Sequence, residues 1–99
     1  MAEQELAGLV YRHSPDVVAR TIAGEVLLVP IRRNIGDLES IFTLNETAAL
    51  VWNQLDGERS AVEVLEQVLA SYEIEARQAE SDLRDLLVEL ESIGAVEKA

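Results

Sequence analysis

Two spacings of apolar residues divide the chain near Leu44. Before it, apolar positions fall in short β-branched runs broken by turn residues, the pattern of half-buried strands. Residues 17–23 form one such run and 26–31 the next, with Gly24-Glu25 between them as a tight-turn signal, so 17–31 is predicted to be a hairpin. Pro30 has no N–H to give to a ladder and marks the end of the second strand or a bulge. Residues 32–39, with Asn34 and Gly36, read as a polar loop, and Ser40-Ile41-Phe42-Thr43-Leu44 as a short third strand.

After Leu44 the period becomes helical. Ala48, Val51, Trp52 and Leu55 recur at i, i+3, i+4 and i+7, behind Asn45 as N-cap and ahead of Gly57 as a stop. Trp52 lies on that stripe and is expected to anchor the core. Ser60 and Glu63 have capping-box spacing and open a second helix, whose stripe is Ala61, Val64, Leu65, Val68, Leu69 and Tyr72. A third helix is predicted over 76–93, with Ala79, Leu83, Leu86, Leu87, Leu90 and Ile93 inward and Gly94 at the C′ position. Residues 95–97 add a brief extended tail. The expected fold is therefore α+β: a three-stranded antiparallel sheet followed by a three-helix, winged-helix-like bundle. Residues 1–15, ending at Ser14-Pro15, read as a flexible N-terminal arm, and 16–99 as a single domain.

Composition narrows the chemistry. With 99 residues, 48% of them hydrophobic, the chain can bury one modest core. It has no cysteine, which removes disulfides, thiolate metal sites and thiol nucleophiles together. Its one histidine, His13, falls in the expected arm, where it forms neither a metal site nor a triad and reads as a solvated bystander. The isolated glycines make no phosphate-cradling loop. A non-enzyme without metal or cofactor is expected. No apolar run approaches the ~20 residues of a membrane span, and residues 1–8 carry Glu3 and Glu5 with no basic residue, unlike a secretory signal. The expected location is cytoplasmic, away from membrane.

Eight basic residues against nineteen acidic ones leave a net charge of −11. The imbalance is concentrated after residue 44, where four basic side chains face thirteen acidic ones. In the third helix Arg77 and Arg84 stand against Glu80, Asp82, Asp85, Glu89 and Glu91. That sign is wrong for neutralising phosphates, so a DNA-reading winged helix falls far behind and nucleic acid is not an expected partner. Asp82, Asp85 and Glu89 read as a solvated face.

An edge strand must be short, charged or used. The third strand is short and apolar, and Arg77, Ser81, Arg84 and Val88 share one face of the third helix at i, i+4, i+7 and i+11. The candidate site is a groove in which an extended peptide pairs with Ser40, Ile41, Phe42 and Thr43 and meets Arg77, Ser81, Arg84 and Val88 as a wall. Arg84 would suit an acidic peptide side chain. The competing expectation is a structural or regulatory protein–protein module that uses the same edge, including self-association as a homodimer.

The run Phe42-Thr43-Leu44-Asn45-Glu46-Thr47-Ala48, then Trp52, then Leu55-Asp56-Gly57, resembles the PqqD family, and the likeness continues through both later helices to Gly94. The resemblance spans roughly residues 16–96. It implies three strands before a three-helix winged bundle, capture of a leader peptide along the third strand and third helix, and delivery to a peptide-modifying enzyme, often a radical SAM protein. Members serving pyrroloquinoline quinone biosynthesis carry a Tyr-Pro-Glu-Gly stretch before the third strand. This chain has Val29-Pro30-Ile31-Arg32-Arg33-Asn34 instead, which points to another precursor peptide.

Overall fold

The computed structural model describes residues 6–31 and 41–99. Strands β2 (Val17–Ile22) and β3 (Glu25–Pro30) form the expected hairpin. Its turn falls one residue earlier than the Gly24-Glu25 signal. Ile22 pairs with Glu25, and the two residues between them, Ala23 and Gly24, have φ of 53° and 83°. Positive φ at both positions is the type I′ arrangement, whose twist matches that of the flanking strands. Strand β4 (Phe42–Leu44) pairs antiparallel with β3, giving the order β2-β3-β4. Paired residues share a face, so Val26 with Leu44 and Leu28 with Phe42 turn to the same side. That side is the core: Leu28 and Leu44 are buried, whereas Thr43 and Ile41 on the other side are exposed. Ser40 and the loop expected at 32–39 lie outside the described residues.

Three helices follow, α1 (Glu46–Gln54), α2 (Ala61–Ser71) and α3 (Ala76–Ser92). The starts of α1 and α2 and the stop of α3 have local causes. Asn45 Oδ1 accepts the Ala48 N–H at 2.8 Å. Ser60 and Glu63 close a reciprocal box, with the Glu63 N–H on Ser60 Oγ at 3.2 Å and the Ser60 N–H on Glu63 Oε1 at 2.8 Å. Gly94 takes the left-handed φ of 75° expected just past α3. The stripes meet as the periodicity requires: Val51 and Trp52 of α1, Val64 and Val68 of α2, and Leu83, Leu87 and Leu90 of α3 are all buried in one core. Trp52 is 3% exposed, a core residue as expected. Among the described residues, no helix is long and apolar enough to cross a membrane.

The expected N-terminal arm requires correction from residue 6 onward. Leu6 and Tyr11 belong to the core. Strand β1 (Tyr11–His13) pairs antiparallel with β5 (Val96–Lys98), the tail expected at 95–97, in the register Tyr11 with Lys98 and His13 with Val96. Ser14 is buried; its N–H donates to the Ala95 carbonyl at 2.9 Å and its Oγ accepts the Asp16 N–H at 3.1 Å, turning the chain from β1 into β2. His13 is no bystander either. Its ring lies on Trp52, with centroids 3.7 Å apart and planes within 7°, and its Nε2 lies 2.7 Å from the Trp52 carbonyl oxygen. A three-residue strand whose partner lies at the other end of the chain leaves no local period to read.

Candidate functional site

Ladder geometry settles which backbone groups of β4 are in use. The residues flanking a two-residue hairpin turn form a hydrogen-bonded pair, and hydrogen-bonded pairs then alternate along the strands. On β3, residues 25, 27 and 29 therefore turn their N–H and C=O to β2. The Ile31 N–H continues that set by donating to the Asp16 carbonyl at 2.9 Å. Val26 and Leu28 bond the other way, to Leu44 and Phe42. Pro30 belongs to this second set, so its missing N–H removes no rung from the hairpin.

It follows that Thr43 points its N–H and C=O away from β3, toward the edge that no described strand occupies. Ile41, of the same parity, continues that direction and is 47% exposed. β4 has one bonded neighbour among the described strands, and the order β2-β3-β4 leaves its other side open. An extended chain laid against Thr43 would place alternate side chains on the face of Phe42 and Leu44, which is the helix side.

Two concavities meet at Asn45, the residue that follows β4. The first, of about 290 Å³, lies between α1, the end of α2 and α3. Its floor is apolar: Ala48 and Val51 from α1, Val68 and Ile74 from around the end of α2, and Leu83 and Leu86 from α3. Asp82, Asp85 and Glu89 of α3 stand around it. The second lies where the β2–β3 turn meets the end of β4 and includes Gly24, Glu25 and Val26 with Thr43, Leu44, Glu46 and Ala49. Asp82 also accepts a hydrogen bond from Gln78 Nε2 at 2.8 Å, one turn earlier on the helix. At the start of α1, Glu46 acts on Tyr72, the C-cap of α2. Burial first, and then this carboxylate, raises the Tyr72 phenol above its ordinary pKa. The effect joins the second helix to the first beside the cleft.

The candidate residues separate into two groups. Phe42 and Thr43 sit on β4 with Ile41 just before it, Phe42 on the core side and the other two on the outer side. Arg77, Ser81, Arg84 and Val88 do share a face of α3, but on a helix with 100° per residue that face is opposite Ala79, Leu83 and Leu86. None of the four lines either concavity. Arg84 lies 3.6 Å from Glu80, one turn away, and Val88 is 61% exposed. The α3 side chains that do line the cleft are Ala79, Asp82, Leu83, Asp85, Leu86 and Glu89. The sequence carried a signal for Leu86 in its apolar spacing and none for the carboxylates, which on a helix look the same whether they face open water or the rim of a cleft. Among the described residues, no group of three or more His, Cys, Asp or Glu is placed to hold a metal ion.

Comparison with known proteins bears on this arrangement. Two solved structures share the fold. One, "Lasso peptide synthetase B1 complexed with the leader peptide", is 26% identical, with a TM-score of 0.73 over 88% of this chain and 96% of that one. The other, "TbiB1 in Complex with the TbiA(beta) Leader Peptide", is also 26% identical, with a TM-score of 0.71 over 87% and 94%. No curated protein matches the sequence. The family model for coenzyme PQQ synthesis protein D (PqqD) matches residues 25–96, from the start of β3 into β5, and so spans both the open β4 edge and the whole helical bundle. The chain belongs to the PqqD family.

Proposed function

We propose that this protein is a non-catalytic carrier that captures the leader of a ribosomally made precursor peptide by strand addition to β4 and presents it to a modifying enzyme. The observation that carries this reading is the outward-facing backbone of Thr43 on an edge that no described strand pairs, next to a cleft with an apolar floor. Backbone bonds to the edge supply affinity, and the cleft selects among side chains. Two buried apolar anchors at ~1.5–3 kcal/mol each, with a few backbone bonds at ~1 kcal/mol net, are enough for micromolar binding after ordering costs. The two solved relatives, each described with a leader peptide, support the same reading. The receiving enzyme acts on the core of the captured peptide; radical SAM proteins are the class the family resemblance favours.

The test is a titration of isotope-labelled protein with the leader segment of the precursor encoded near its gene. Amide shifts are expected at 41–45 and around Leu86. Shifts confined to α2 or the 56–60 turn would refute strand addition at β4. Pairing of two β4 edges into a homodimer is the rival outcome. It would appear as a concentration-dependent mass that persists when peptide is added.

A further inference from the structure

We infer that the peptide segment seated beside β4 carries a lysine or arginine two positions from its apolar anchor. The inference rests on the strand-addition reading above and specifies the side chains that reading leaves open. Five carboxylates, Glu25, Glu46, Asp82, Asp85 and Glu89, line the two concavities that meet at Asn45, and among the described residues neither concavity is lined by a lysine or arginine. The arginines of α3 lie on its opposite side, where Arg84 is paired with Glu80. An acidic peptide, which Arg84 would have suited, would instead meet five like charges. Close like charges repel, and a cation placed among them relieves that repulsion while gaining attraction of its own.

Strand geometry fixes the spacing. Side chains of an added strand that face the helices recur every second residue, about 6.6 Å apart. From Asp82 to Glu89 the helix rises about 10 Å, with Asp85 between them. For an added strand that runs along α3, an apolar side chain on the cleft floor has its i−2 and i+2 neighbours over the acidic rim. A basic residue at either position reaches a carboxylate, and an acidic one is repelled.

The test is selection of binders from a display library of random short peptides. Wild-type protein is expected to enrich lysine or arginine two positions from an aliphatic or aromatic residue and to deplete aspartate and glutamate there. The triple variant Asp82→Asn, Asp85→Asn, Glu89→Gln should lose that bias and bind the selected peptides about tenfold or more weakly. The control Glu58→Gln, Glu66→Gln, Glu73→Gln removes as much charge from exposed positions that line neither concavity and should keep both bias and affinity. All six positions are exposed, so both variants are expected to fold, which circular dichroism checks.

Binders without a basic bias that still shift the Thr43 amide would overturn the charge inference and leave peptide capture standing. Equal losses in the two triple variants would also overturn it, because net charge alone would then explain the bias. Failure to enrich any peptide would overturn strand addition itself and this inference with it.

Discussion

Strand β1 is bonded on both sides. The Ser14 N–H on Ala95 and the Ala99 N–H on Val10 show that its even-numbered positions face β5. Its odd-numbered carbonyls, Leu9 and Tyr11, accept from Ala61 and Gly57 at 2.8 Å each. Strand β4 has the same length and, among the described residues, is bonded on one side only. Both are short strands in a small acidic protein, so length and composition do not account for the difference. What differs is the covering: the 56–61 segment closes β1, and no described segment closes β4. Evolution removes open edges or uses them. An edge left open beside an apolar cleft, in a molecule that seals its other sheet with a turn and the chain's own tail, is the place to look for a partner.

The comparison can be broken most forcefully at Trp52, which supports the closed end by lying beneath His13. Trp52→Ala is expected to cost ~3–5 kcal/mol in urea or thermal unfolding, as large aromatic truncations in a core do. A variant that melted like wild type would remove the basis for treating this end as structural.

A sharper version puts the same substitution in both strands. The alternation places the Arg12 N–H on Glu97 of β5, so Arg12→Pro deletes a rung and is expected to destabilise by about 3 kcal/mol. The Arg12–Glu97 ion pair at 2.9 Å is exposed and contributes at most ~1 kcal/mol of that loss. Thr43→Pro deletes a donor that faces outward, so it should cost about 1 kcal/mol or less while weakening leader binding severalfold. Unfolding midpoints and a peptide titration on the two variants check both arms, and equal destabilisation would show that β4 is not an open edge.

The smallest effect concerns the turn that covers β1. Asp56 accepts the backbone N–H groups of Arg59 and Glu58, each at 2.9 Å, and these bonds, that from Arg59 first, hold its carboxyl below the usual pKa. A value lowered in the folded state stabilises the fold above the ordinary aspartate range near ~3.9, and that contribution is lost as pH falls through the lowered value. Asp56→Asn should therefore flatten the acid limb of a melting-temperature profile slightly and leave the neutral region almost unchanged.

How much of this was legible in the sequence depended on distance along the chain. Asn45, Ser60 with Glu63, and Gly94 act within four residues of themselves, and their spacing alone located every helix end they control. The hairpin was visible for the same reason, though Ala23 in a left-handed conformation moved its turn by one residue, since the pairing of Ile22 with Glu25 outweighs the strain on a single alanine. The β1–β5 ladder was hidden because Arg12 and Glu97 meet across nearly the whole chain. The edge was readable as geometry: the short apolar strand pointed to one, and no described segment closes the outer side of β4. The wall was harder. Two arginines on an acidic helix attracted attention by contrast, yet which side of α3 borders a cleft is decided by Val51 and Ile74, which lie on other segments.

The pairing of the two terminal strands also sets how the molecule responds to force. The bond from the Ala99 N–H to the Val10 carbonyl is the rung of that ladder nearest both chain ends, so tension that reaches the ladder from the ends loads it first and then opens the ladder one rung at a time. An unzipping geometry of this kind yields at low load. β4 belongs to the other sheet and carries none of that tension until the β1–β5 ladder has parted. If either end were tethered to a larger enzyme, pulling on it would part β1 from β5 before it disturbed the β4 edge.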